Sequence, residues 1–305
     1  MAQLSIQLAG LELRNPVLAS SGTFGYGLEM EPLFDLSRIG GFVTKGISKE
    51  PIAGNPAPRM VETASGMINS IGLQNVGVDV FIEEKLPKLA HVDCAVFVNV
   101  FGYDPSDYVH VLERLEAQPG VDGYELNVSC PNTKCGGMQF GADPRLLGEV
   151  VALARKAVGS ARPLMVKLSP NVTDIAAMAV AAEQAGADIV SLVNTFQALA
   201  VNAKTRRPKI GAGMGGLSGP AIKPIALRMV YQVAQAVKIP VVGLGGVSTG
   251  EDVAEYMVAG ATAVQAGTAN FWDPVAGPRL VRELDRFLHR ERIATAAELV
   301  GTLTL

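Results

Sequence analysis

Apolar residues gather along this chain in short, near-continuous runs instead of one long helical stripe. The runs are Pro16–Ser20, Gly41–Lys45, Ala95–Asn99, Gly123–Asn127, Leu164–Lys167, Asp188–Asn194, Pro240–Leu244 and Ala263–Gly267. Strands buried on both faces read this way, whereas half-solvated strands alternate. Amphipathic helical patterns fill most of the gaps, at Pro105–Ala117, Pro144–Val158, Asp174–Ala185, Ala221–Val237, Glu251–Ala259 and Pro278–His289. Several open on Asp, Thr or Pro, the residues that start helices. Eight buried strands alternating with helices predict an α/β fold, a (β/α)8 barrel of the TIM type. An open doubly wound sheet is the competing arrangement. Leu4–Leu13 alternates around Ala9-Gly10 and predicts an N-terminal β-hairpin. The chain has 305 residues, 49% of them hydrophobic, which suffices for one large core, so residues 1–305 read as a single domain.

The residues that close each run carry the chemistry. In order they are Ser20-Ser21, Lys45, Asn99, Asn127, Lys167, Asn194, Gly245-Gly246 and Gly267-Thr268. Barrel enzymes place their reactive groups on the C-terminal rim of the strands. One polar strand end is ordinarily just solvated, but polar ends on six of the eight runs predict a site. Two connections exceed simple βα loops. Ile47–Gly77 holds Asn69-Ser-Ile-Gly-Leu-Gln-Asn75, and Thr195–Gly219 holds the Gly-rich stretch from Gly211 to Gly219. Ordered loops of that size are usually functional, and these are expected to lie over the rim.

The fourth run hands over from Asn127 to Cys130 within Asn-Val-Ser-Cys-Pro-Asn, followed by a Gly-rich segment from Lys134 to Gly141. A cysteine inside an apolar strand is usually core filler. At a strand end, between two amides and before Pro131, it is a candidate base or nucleophile. Glycines at the ends of the seventh and eighth runs suit the common barrel phosphate site. No Gly-x-Gly-x-x-Gly follows the first strand, which disfavours a dinucleotide site. FMN, with one phosphate, fits better. Lys45 and Lys167 then face its ring or the substrate, and a cation there tunes a flavin.

Charge and composition narrow the rest. Net charge is −3 and the 26 Lys and Arg are dispersed, so nucleic acid is not a partner. Mean hydropathy is +0.27 without an apolar stretch long enough to span a membrane. No signal peptide is evident, and three cysteines point to a reducing compartment, the cytoplasm. The histidines His91, His110 and His289 lie away from the strand ends, and no cluster has metal-ligand spacing. Cys94 reads as core and Cys135 as a loop thiol.

Taken together, Thr44-Lys-Gly, Asn69-Ser-Ile-Gly-Leu-Gln-Asn, Asn127-Val-Ser-Cys-Pro-Asn, Val166-Lys-Leu-Ser-Pro, Val193-Asn-Thr and Gly245-Gly-Val resemble dihydroorotate dehydrogenase, in order and spacing, from Leu4 to His289. The resemblance implies an FMN-bearing barrel that oxidises dihydroorotate to orotate in pyrimidine synthesis. A cysteine base without an N-terminal membrane segment is similar to class 1, where class 2 has serine. Carried over by position, Cys130 takes a proton from C5 while C6 gives a hydride to the flavin. Ser21, Lys45, Gly46, Asn99, Asn127, Lys167, Val193, Gly219, Gly245, Gly246, Gly267 and Thr268 are expected to hold FMN. Lys45, Asn69, Ser70, Ile71, Gly72, Leu73, Asn127, Asn132, Asn194 and Thr195 are expected to hold the substrate. The Gly136-Gly-Met-Gln-Phe-Gly segment resembles the NAD-linked 1B type, although Cys135 and Ala142 depart from its commonest wording. That type implies a partner subunit bearing FAD and a 2Fe–2S cluster, and a homodimer within a heterotetramer. The alternatives are a fumarate-linked 1A enzyme, a barrel like that of dihydropyrimidine dehydrogenase, and a flavin-free phosphate-binding barrel. Dihydropyrimidine dehydrogenase tends to have His where this chain has Asn132.

Overall fold

A computed structural model of the chain describes residues 2–129, 131–132 and 138–305. Eight parallel strands close into a barrel: β1 (Val17–Ala19), β2 (Gly41–Val43), β3 (Ala95–Val100), β4 (Gly123–Asn127), β5 (Leu164–Lys167), β6 (Ile189–Leu192), β7 (Val241–Leu244) and β8 (Ala263–Ala266). Each lies within or across one of the eight expected runs, and their order around the barrel follows the chain. β8 completes the ring on β1, pairing Val264 with Val17 and Ala266 with Ala19. The doubly wound alternative is thereby excluded.

Among the described residues, the helices of nine residues or more that cover the outside are α1 (Pro105–Glu116), α2 (Pro144–Val158), α3 (Ile175–Gln184), α4 (Lys223–Ala234), α5 (Gly250–Val258) and α6 (Ala276–Glu291). Their starts follow from local chemistry. The Asp104, Asp143 and Asp174 carboxylates accept from backbone N–H groups of the first turns of α1, α2 and α3, and α5 opens on a capping box of Thr249 and Asp252. β1 and β2 are joined without an α-helix, through two 3-10 turns, Leu28–Met30 and Leu36–Arg38. A helical segment absent from the expected set follows β2's long connection, as Val78–Val80, a π turn Phe81–Lys85 and Leu86–Leu89. Pro87 inside it masks the helical pattern in the sequence.

Inside the barrel, the period-two alternation of strands sorts side chains into layers. Phe97, Met165, Ile189 and Ala263 join Val43 and Val242 in a dry lower layer. Two residues further along the same strands stand Asn99, Lys167, Ser191 and Gln265, so the interior turns polar on the way to the C-terminal rim. The N-terminal hairpin, Ile6–Leu8 paired with Leu11–Leu13, seals the dry end. Its turn puts Ala9 and Gly10 at φ 48° and 87°, the double left-handed geometry of a tight hairpin. Ile6, Leu8 and Leu13 pack against that lower layer, each contributing about 1.5–3 kcal/mol of transfer free energy.

The two long connections pair with each other. Met60–Thr63, Gly66–Asn69, Met214–Ser218 and Phe196–Leu199 form one antiparallel sheet, in which Asn69 lies opposite Gly216. Backbone donors of both insertions are thus satisfied by one another at the C-terminal end of the barrel.

Candidate active site

Between the rim and that sheet lies a cavity of about 680 Å³, within the roughly 300–1,000 Å³ range of small-molecule and cofactor sites. The residues at the ends of the expected runs converge on it. Ser21, Lys45, Gly46, Asn99, Asn127, Lys167, Val193, Gly219, Gly245, Gly246, Gly267 and Thr268 all line it. So do Asn69, Ser70, Ile71, Gly72, Leu73, Asn194 and Thr195 from the overlying loops. Cys130, Cys135 and the Asn132 side chain lie outside the described residues, although Ser129, the chain neighbour of Cys130, lines the cavity. A second depression of about 700 Å³, between Val61 and Lys209, contains no rim residue.

One wall is made of glycine backbone. Gly246 sits at φ 73°, where an added Cβ would stand 2.8 Å from Lys223 Cβ and 2.9 Å from the Gly219 carbonyl. Both the conformation and the space therefore require glycine there. Gly245 is fixed from behind by Tyr256, whose hydroxyl donates to the Gly245 carbonyl at 2.6 Å. Burial pushes the Tyr256 phenol up, with Asp252 and Glu255 adding to the shift, so it keeps the proton it donates. Lys223 is itself held by Asp252 and Glu255 and buttresses the turn. The wall has the form of an anion seat.

The roof loop is held by its own amides. Asn75 accepts from the Gly77 and Ser48 N–H groups and donates to the Leu73 carbonyl at 2.9 Å. Asn55 donates to Ser70 Oγ at 2.7 Å. Between these anchors Gly72 and Leu73 both take positive φ, 75° and 58°, a strained arrangement of the kind found where loops clamp ligands. Opposite, the Asn127 carbonyl accepts from the Tyr108 hydroxyl at 2.8 Å, which ties the end of β4 to α1. Asn171, absent from the expected set, donates to the Thr195 carbonyl at 3.1 Å and joins two rim loops.

Among the described residues, two lysines, Lys45 and Lys167, give the cavity its positive charge. Burial, and after it the Arg59 guanidinium, hold the Lys45 ammonium below the usual lysine range, with Glu29 opposing them. An anionic ligand would relieve that penalty. Lys167 is almost wholly buried; its ammonium donates to Ser20 Oγ at 3.3 Å and lies 3.6 Å from Glu125 Oε1. Glu125, wholly buried inside β4, did not stand out in the sequence, because only its place on the inward face distinguishes it. Asn99 donates to Glu125 at 2.8 Å, which turns the amide so that Asn99 Oδ1 is buried beside Gly46 without a hydrogen-bond partner among the described residues. A buried acceptor of this kind calls for a donor from a ligand.

Other chemistry is weakly supplied. Among the described residues no group of three His, Cys, Asp or Glu side chains could hold a metal ion. Cys94 is a free thiol packed against the core, and burial, followed by Asp122, pushes it up to about 12. Burial thus disfavours the thiolate, the reactive form. Among the described residues no helix is long and apolar enough to cross a membrane.

The sequence profile of the dihydroorotate dehydrogenase family matches residues 3–288. A protein of Solibacter usitatus, provisionally named dihydroorotate dehydrogenase A (fumarate), is 61% identical over 99% of this chain and 98% of its own length. The protein named dihydroorotate dehydrogenase B (NAD(+)), catalytic subunit, of Citrifermentans bemidjiense is 52% identical over 99% of this chain and 98% of its own. Its namesake in Geobacter sulfurreducens is 53% identical over 98% of each. A profile match over nearly the whole length, on a barrel whose rim cavity gathers the motif residues, settles the family: the chain is a member of the dihydroorotate dehydrogenases.

Proposed function

We propose that this chain is the FMN-bearing catalytic subunit of an NAD-linked dihydroorotate dehydrogenase, which oxidises (S)-dihydroorotate to orotate in de novo pyrimidine biosynthesis. The observation that carries the reading is the shared cavity, with a glycine seat on one side, two lysines below and a roof of amides. The residues present fit FMN. Gly219, Gly245, Gly246, Gly267 and Thr268 would take its phosphate, Lys167 and Asn99 its ring, and Lys45 would face both ring and substrate. Bound there, FMN supplies the hydride acceptor for C6 of dihydroorotate. Cys130 Sγ, as thiolate, removes the proton from C5, so that the C5–C6 single bond becomes the double bond of orotate. Asn69, Asn127, Asn132 and Asn194 would hold the alternating C=O and N–H groups of the pyrimidine, with Ser70–Leu73 and Thr195 closing over it. The Lys45 ammonium would meet an anionic ring or carboxylate, which accords with its depressed affinity for a proton.

The purified chain should be yellow and release one FMN per barrel on heat denaturation. FAD in its place, or no flavin, would overturn the assignment of the glycine seat.

The electrons leave, on this reading, through a second polypeptide carrying FAD and a 2Fe–2S cluster, with two copies of each chain in a cytoplasmic heterotetramer. The one Gly-x-Gly-x-x-Gly in the sequence, Gly211–Gly216, runs into the antiparallel roof sheet and does not follow a barrel strand to open a helix, so it is no dinucleotide fingerprint, and relatives at 52% identity carry the name of a catalytic subunit. The 61% identical relative, named for fumarate, favours a second reading in which the chain acts alone. The isolated chain should oxidise dihydroorotate with artificial acceptors yet reduce NAD+ hardly at all until a ferredoxin-reductase-like subunit is added. Rapid turnover with fumarate, unaffected by any such subunit, would establish the fumarate-linked type instead.

A further inference from the structure

Among the rim residues and beneath them lies a buried carboxylate, Glu125, for which neither the motifs nor the proposed reaction has a use. It has no exposed surface. Its Oε1 accepts from Asn99 Nδ2 at 2.8 Å and lies 3.6 Å from Lys167 Nζ. Its Oε2 accepts from Ser191 Oγ at 3.0 Å and from Gln265 Nε2 at 2.9 Å. A carboxylate wholly removed from water is tolerated only when it is paired and fully hydrogen-bonded. Here four strands other than its own, β3, β5, β6 and β8, contribute one partner each. A scaffold needing only a filled barrel would use an apolar side chain at this point, as the layer below does.

Two of the four partners line the cavity, Asn99 and Lys167, and both are arranged by Glu125. The carboxylate commits the Asn99 amide nitrogen and so presents the oxygen to the cavity. It also stands close enough to the Lys167 ammonium to offset much of its charge, because water is excluded from between them. We propose that Glu125 is a positioning residue of the flavin seat, one that fixes Asn99 as an acceptor and tempers the positive field of Lys167, thereby setting the ease with which the bound flavin is reduced. The inference rests on the flavin reading above.

Glu125→Gln tests it without changing shape. The network can absorb the new amide, since Gln265 Oε1 has no partner among the described residues and its amide can turn to accept. With the negative charge gone, the field of Lys167 acts undiminished on the reduced flavin. Dye-coupled reduction of the FMN-loaded chain should show the reduced-to-oxidised ratio rising about tenfold at a fixed potential, an upward shift of about 30 mV for a two-electron couple. The shift should vanish when Glu125→Gln is made in a Lys167→Met background. Glu125→Gln that holds FMN at the parental potential would overturn the proposal, as would a shift that persists undiminished without Lys167. Melting of the full chain supplies a second measurement that needs no flavin. Lys167→Met should melt well below the parent, because it strands a buried carboxylate, and adding Glu125→Gln should restore at least half of the loss. If Lys167→Met melts with the parent, or the double variant recovers nothing, the pair does not exist as described and the proposal falls even where Glu125→Gln alone fails to accumulate. A parent chain without FMN would defeat the flavin reading, and the melting comparison would still judge the ion pair.

Discussion

Alanine in place of Cys130 should leave FMN bound and slow its reduction by dihydroorotate ~10²–10⁴-fold, the usual worth of a positioned acid–base group. The proposed flavin seat draws chiefly on β7, β8 and the lysines, so binding and chemistry should separate. Stopped-flow bleaching of the flavin reads the proton-coupled step without any electron acceptor. Serine should be nearly as poor at neutral pH, because a hydroxyl is a far weaker acid than a thiol of pKa about 8.5. The working form is the thiolate, so the parental rate should climb as pH rises towards and through the thiol pKa and fall away below it. Parental reduction rates in Cys130→Ala would remove Cys130 from the mechanism.

The second large effect is expected at Gly246. Alanine there must hold φ near 73°, with its methyl 2.8 Å from Lys223 Cβ and 2.9 Å from the Gly219 carbonyl. Left-handed strain costs about 1–2 kcal/mol for a residue with a side chain, and overpacking typically another 1–3 kcal/mol. The free loop can move to relieve the clash, whereas the loaded one cannot, so the penalty falls on the complex. FMN affinity should drop by ~30-fold to ~4 × 10³-fold, at 1.4 kcal/mol per decade, as read by quenching of flavin fluorescence on titration. Gly159→Ala is the control. It carries a similar positive φ of 59° at the end of α2, with nothing within 4 Å of the added carbon, and it should leave flavin affinity unchanged. Undiminished affinity in Gly246→Ala would mean that the phosphate binds elsewhere.

The barrel was legible in the chain because burial on both faces leaves a one-dimensional trace, a run of apolar residues without alternation. The run ends were equally legible, since a polar side chain closing a buried strand stands out. What lay inside the runs was not. Glu125, Ser191 and Gln265 interrupt apolar stretches no more conspicuously than a surface residue would, and only closure of the ring shows that they meet. The pairing of Gly66–Asn69 with Met214–Ser218 was hidden for a different reason. Asn69 and Gly216 are 147 residues apart, and antiparallel pairing over that separation leaves no local signature. The sequence did imply that the two insertions lie over the rim, though not that they form one sheet. The Phe81–Lys85 turn escaped because a proline two residues beyond it argues against a helix.

The ring closes only when Ala263–Ala266 reaches Val17–Ala19. The proposed phosphate seat draws on residues 219–268, whereas Ser21 and Lys45, which line the same cavity, come from the first sixth of the chain. During synthesis, then, no partial product possesses the seat, and the flavin can be captured only by a chain that is nearly complete. A ligand that binds the finished fold alone stabilises it by mass action, by about 2.7 kcal/mol at a hundredfold excess over its dissociation constant. On the flavin reading, the standing amount of this protein in a cell would thereby be tied to vitamin supply. When FMN is scarce, newly made barrels stay closed but less stable, and quality control removes more of them.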